Sequence, residues 1–235
     1  VAEPTWEDDG WEAKVELLLD VVPEVVTFTF GLPSLEVVAE LVARGAAVGI
    51  TVTTPEEARV AAEVGPTFLC VQGSEAGAHR GTFVNRGWPD DRPLPQLLAD
   101  CGSATRLPMV AAGGVASSAD VARLLAAGAV AVQCGTAFLR CPEAGTRAVH
   151  REALADPRYT ETVVTRAFSG RPARGLRNRF ADRHADAPAA YPEINNATRL
   201  LRGAGDPEAT NLWAGTGWRS AQARPAAEVV ELLTP

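Results

Sequence analysis

Three segments of the chain combine reactive side chains with glycine in patterns that can support chemistry. They are residues 71–81 (VQGSEAGAHRG), 111–115 (AAGGV) and 133–138 (QCGTAF). His79 is the proton-transfer candidate among them. It follows small residues on a glycine-rich loop, so its imidazole can reach a pocket without steric competition. A neutral imidazole near pH 7 can accept a proton and later release it. Glu75 could act as a base or orient the loop, and no role is assigned to it. Arg80 could stabilise an anionic substrate, and a solvated or ion-paired arginine is the simpler reading. His150 falls in an expected helix and His184 in an Arg/Asp-rich stretch, where a structural or surface role is the simpler reading.

The second and third segments suit a phosphate. Glycine lets the backbone approach an anion closely, and free N–H groups at a helix start donate to it. Each segment alone fits a tight strand-to-helix turn equally well. Gly114 and Gly135 stand 21 residues apart, each at the end of an expected strand, and together they favour an anion site. The four cysteines, Cys70, Cys101, Cys134 and Cys141, form no C-x-x-C pair and have no histidine at zinc spacing. No metal site is expected from them, and a reduced, cytoplasmic protein is.

These residues need a scaffold, and the hydrophobic pattern supplies one. Five short apolar runs occupy residues 24–30, 46–52, 67–72, 108–112 and 129–134. Their near-continuous apolarity predicts strands buried on both faces, as in a parallel sheet covered by helices. Helices are predicted over 34–44, over 54–64 with its T-P-E-E start, and over 118–127. The class is therefore α/β, with the three segments at the carboxyl ends of successive strands, where ligands bind in parallel folds. Residues 73–90 form a long glycine-rich connection, of a length usually either functional or disordered. After Phe138 the sequence offers helices and no further convincing buried strand, so residues 141–235 are expected to be a helical extension on residues 1–140.

Composition excludes several classes. The 235 residues are 46% hydrophobic and 22% charged, ordinary for a globular protein. Twenty-two Lys+Arg against 29 Asp+Glu leave a net charge of -7, which argues against a nucleic-acid partner. Lys14 is the sole lysine. No run is long and apolar enough for a membrane helix.

In order and spacing, the three segments resemble the nitronate monooxygenase family, once called 2-nitropropane dioxygenases. The G-x-E-A-G-x-H-R-G element is shared with the FMN-dependent enoyl-acyl-carrier-protein reductases. The similarity continues through 165–180 (TRAFSGRPARGLRNRF) and 191–218. It implies a (β/α)8 TIM barrel with FMN as cofactor, of which this chain would contain strands four to eight. By position, Gln72 and Gly77 match residues that contact FMN, Gly114 a phosphate-binding glycine, and Gln133, Cys134, Gly135 and Thr136 a phosphate-binding segment. His79 matches the catalytic histidine. Ala78 and Cys134 depart from the family's usual Gly and Met or Leu.

The implied reaction is oxidative denitrification of alkyl nitronates, and of nitroalkanes as a further class, with O2 to carbonyl compounds and nitrite. His79 would take the α-proton or hold the anion by a hydrogen bond, and the sequence leaves both open. Small-molecule substrate and O2 are the expected partners, with no membrane or nucleic acid, and a homo-oligomer is compatible. The alternatives are the enoyl reductase and a non-catalytic module that binds a phosphate ligand or a protein. The family's first three barrel strands find no match here. The expectation is that the chain is a piece of a longer protein and would not retain FMN by itself.

Overall fold

A computed structural model describes residues 5–235. Its first layer is a five-stranded parallel sheet of β1 (Val25–Phe28), β2 (Ala47–Val52), β3 (Phe68–Gln72), β5 (Met109–Ala112) and β6 (Ala131–Gln133). They lie side by side in chain order, because every connection is a crossover that returns the chain to the next position. All five coincide with the predicted apolar runs. Parallel strands need such long connections, and helices supply them.

Those helices form where the sequence places their caps. Ser34 opens α2 (Leu35–Ala43) by accepting from Val37 N. Thr54 opens α3 (Pro55–Ala62) by accepting from Glu57 N at 3.1 Å, while Pro55 sits in the first turn, where its missing N–H costs nothing. The start of α5 (Ser118–Ala126) is capped by Ser117 rather than Ser118. A further helix, α4 (Leu94–Ala104), buries Leu94, Leu97, Leu98 and Cys101 against β3 and β5. The main core runs between the sheet and these helices, with Ile50, Val52, Leu69 and Val71 contributed by the strands. α1 (Trp11–Val21) precedes β1 and buries none of its side chains completely.

Beyond Phe138 the structure departs from the sequence expectation. α6 (Ala148–Ala153), α7 (Arg179–Arg183), α8 (Glu193–Gly203) and α9 (Ala226–Leu233) are present. Two strands join them, β7 (Thr162–Thr165) and β8 (Ala173–Leu176). They pair antiparallel, and β8 also pairs with the two-residue strand β4 (Ala78–His79). Residues 141–235 are thus not purely helical. They do gather a core of their own around Leu154, Tyr159, Leu176, Leu212 and Trp218. The hairpin was hidden because β8 reads Ala-Arg-Gly-Leu, with a half-buried arginine where a buried strand should show an apolar residue. Arg174 is accommodated by hydrogen bonds to the Ser74 carbonyl and the Thr162 hydroxyl, at 2.9 and 3.0 Å.

Candidate active site

A cavity of about 400 Å³ opens at the carboxyl ends of β3, β5 and β6. Gln72, Gly77, Gly114, Gln133, Cys134, Gly135 and Thr136 all line it, so the seven residues expected to touch a cofactor are brought together. Its volume lies within the range typical of small-molecule sites. Trp213, Gly215 and Gly217 close another side. Nothing in the sequence pattern predicted that contribution, since it depends on the C-terminal segment folding back.

The glycine loops supply free donors. Gly113 and Gly114 adopt φ of 126° and 67°, a region that L side chains avoid. Among the described residues, the N–H groups of Gly114, Val115, Gly135 and Thr136 have no acceptor within the chain. A Cβ added at Gly135 would meet no atom within 4 Å, so the backbone there borders open space. Unsatisfied backbone donors around a cavity are what an anionic group can satisfy. The start of α5 is already capped, so it is not the source of free donors. Ser117 accepts from Asp120 N, and the Asp120 carboxylate accepts from Ala116 N. The donors available to an anion belong to the loops.

Gln72 reaches the cavity with its amide largely committed. Its Nε2 donates to the His79 carbonyl at 3.0 Å, and its Oε1 accepts from Gly81 N at 2.8 Å. It therefore staples the His79 loop to the end of β3. Gln133 Oε1 accepts from the Cys70 thiol at 3.0 Å. Burial pushes that thiol up to about 11, so it stays protonated at neutral pH. Thr136 accepts from Gly215 N at 2.9 Å and ties the C-terminal segment to the cavity floor.

His79 stands beside the cavity rather than on its wall. Trp213, which is on the wall, lies 5.5 Å from its ring, and Tyr191 and Phe30 lie at 5.7 and 5.9 Å. Its Nε2 is 2.8 Å from Ser169 Oγ. Burial lowers its pKa to about 4, helped by the charges of Arg171 and Arg202, so the imidazole is neutral near pH 7. The preceding residue, Ala78, has φ 63°, which accounts for glycine being the family's usual choice there.

Arg80 differs from the sequence reading. It is 1% exposed and, among the described residues, makes no ion pair. Its guanidinium instead donates to the carbonyls of Gly73 and Gln72, clamping the two ends of the loop. Glu75 has a structural place: its Oε1 accepts from Leu94 N at 3.1 Å and its carbonyl from Thr216 N at 3.0 Å. His150 lines the cavity, contrary to expectation, and burial lowers its pKa. His184 packs on Phe180, away from it.

A parallel α/β layer with unsatisfied backbone donors at its strand ends, and a half-buried neutral histidine beside them, is a setting that suits an anionic ligand. The sequence profile described as Nitronate monooxygenase matches residues 2–235. The chain belongs to the nitronate monooxygenase family, a family of flavin-dependent oxidoreductases. It is 42% identical to the nitronate monooxygenase of Pseudomonas aeruginosa over 92% of its own length and 64% of that protein's. The corresponding protein of Paraburkholderia phytofirmans is 38% identical, with 94% of this chain and 63% of the relative covered. The chain therefore spans less than two thirds of the curated relatives it matches. Among solved structures, nitroalkane oxidase from Streptomyces ansochromogenes superimposes with a TM-score of 0.95 at 45% identity, covering 99% of this chain and 70% of that one. FabK from Thermotoga maritima gives 0.78 at 26% identity, covering 95% and 71%.

Proposed function

We propose that the protein is an FMN-dependent enzyme that converts alkyl nitronates, and nitroalkanes as a second class, with O2 to carbonyl compounds and nitrite. The observation that carries the reading is the cavity itself. Seven residues matched by family position converge on one space, and four backbone N–H groups on its loops lack acceptors among the described residues. The five parallel strands would be strands four to eight of a TIM barrel, with residues 141–235 packed on residues 1–140.

Bound FMN would supply the electron transfer between substrate and O2. The chain's own residues do the rest. The N–H groups of Gly114, Val115, Gly135 and Thr136 hold the phosphate. Gln72, Arg80 and Glu75 hold the loop that carries His79. Trp213 and Tyr191 give the space beside the imidazole an apolar lining, which keeps it neutral and suits a small alkyl group. The charges of Arg171 and Arg202, which disfavour an imidazolium, favour an anionic nitronate nearby.

The experiment compares reductants without oxygen. The flavin-loaded protein should be bleached by 2-nitropropane nitronate, and not by NADPH. Bleaching by NADPH, with turnover of an enoyl thioester, would transfer the assignment to the reductase.

A further inference from the structure

The hairpin missed by the sequence analysis touches His79 twice. Its strand β8 pairs with the His79 backbone, with Ala173 opposite His79. The loop between β7 and β8 brings Ser169, 2% exposed, to 2.8 Å from Nε2. Ser169 Oγ also lies 3.2 Å from the carbonyl of Arg171 and accepts from its N–H at 3.3 Å. A hydroxyl has one proton to give, so its direction decides the tautomer of the imidazole.

If Ser169 donated to Nε2, the buried Arg171 carbonyl would have no donor among the described residues. If Ser169 donates to the carbonyl, it accepts from Nε2–H and both groups are satisfied. A buried polar group left without a partner costs about 1–3 kcal/mol, enough to select one tautomer. The other ring nitrogen is left uncommitted. Nδ1 has no partner among the described residues and is not sealed from open space.

We infer that Ser169 is a positioning residue that fixes His79 as the Nε2–H tautomer, leaving the Nδ1 lone pair as the atom that takes the proton from substrate. The inference rests on the function proposed above and settles what the sequence left open. A lone pair can abstract a proton and cannot donate to a nitronate oxygen. In the step, Nδ1 forms a bond to the α-proton, the C–H electron pair becomes the nitronate, and the imidazolium keeps Nε2–H on Ser169. The proton then leaves Nδ1 to water. The titratable groups packed around the ring are Arg171, Arg202 and Tyr191.

The test is nitrogen NMR of histidine-labelled full-length protein near pH 7, with His79→Asn identifying the His79 signals. Nε2 should be protonated and Nδ1 unprotonated, and Ser169→Ala should give mixed tautomers while Ser169→Thr retains the preference. In kinetics, Ser169→Ala should lower kcat on neutral nitroalkanes about 10- to 100-fold, with KM nearly unchanged and a smaller loss on preformed nitronates. A proton on Nδ1 of the unmodified protein overturns the inference, even where the alanine variant does not fold. So does a tautomer unaffected by Ser169→Ala. If no nitro compound is turned over at all, the function is wrong, while the spectrum still decides the role of Ser169.

Discussion

Gly114→Ala perturbs the proposed phosphate cradle at a position where the structure fixes the consequence. Gly114 has φ +67°, and an added Cβ would fall 2.8 Å from Glu75 Cβ. Glu75 cannot easily yield, since its carboxylate accepts from Leu94 N and its carbonyl from Thr216 N. The left-handed conformation alone costs a non-glycine residue about 1–2 kcal/mol. For a chain of this length that lowers Tm by about 2–8 °C. The loop must shift, and the N–H groups of Gly114 and Val115 shift with it. Losing one charge-assisted hydrogen bond, worth about 1.5–3 kcal/mol, weakens binding about 10- to 150-fold. The assay is quenching of flavin fluorescence, titrated with FMN and with riboflavin, which lacks the phosphate. In the unmodified protein FMN should bind more tightly than riboflavin, and Gly114→Ala should narrow that gap. Equal weakening of both ligands would show that these donors do not hold the phosphate.

His79→Asn should lower turnover of neutral nitroalkanes by ~10²–10⁴-fold, the usual loss for a general base, with a smaller loss on preformed nitronates. Steady-state kinetics on the two substrate forms checks this, and equal losses would contradict it. Because the His79 pKa falls from 6.5 to about 4 on folding, the unfolded chain binds more protons between those values. Stability should therefore decrease as pH falls through that window, by up to about 3 kcal/mol. Urea unfolding at pH 7 and pH 4.5 should show a smaller decrease for His79→Asn, and an identical pH dependence would refute the cause. Ala78→Gly relieves a left-handed alanine at φ 63° and should stabilise the fold by about 0.5–1 kcal/mol in the same unfolding assay. A loss of stability there would mean the position is not strained.

The parallel sheet was legible because its central strands β2 and β3 are buried on both faces, whereas β1 exposes one face and β6 is largely exposed, contrary to the expectation for all five. Val48, Ile50 and Val52 leave almost no exposed surface, and such runs stand out from their surroundings. Caps were legible too: Thr54 and Pro55 do in the structure what their types suggest. The hairpin was not legible, because its strands are short and one carries Arg174. The same division runs through the site. Glycine loops at strand ends declare themselves by composition, and the seven residues singled out by the family resemblance line one cavity. Ser169, Trp213 and His150 come from distant parts of the chain, and only the fold of 141–235 brings them near. Arg80 was misread because a lone arginine is usually solvated, whereas here the Gln72 and Gly73 carbonyls at the end of β3 hold it inside.

Nitrite release tests the central claim most directly. Full-length protein loaded with FMN, mixed in air with propionate 3-nitronate or 2-nitropropane nitronate, should release nitrite together with the corresponding carbonyl compound. No nitrite from either nitronate, with FMN demonstrably bound, would contradict the account.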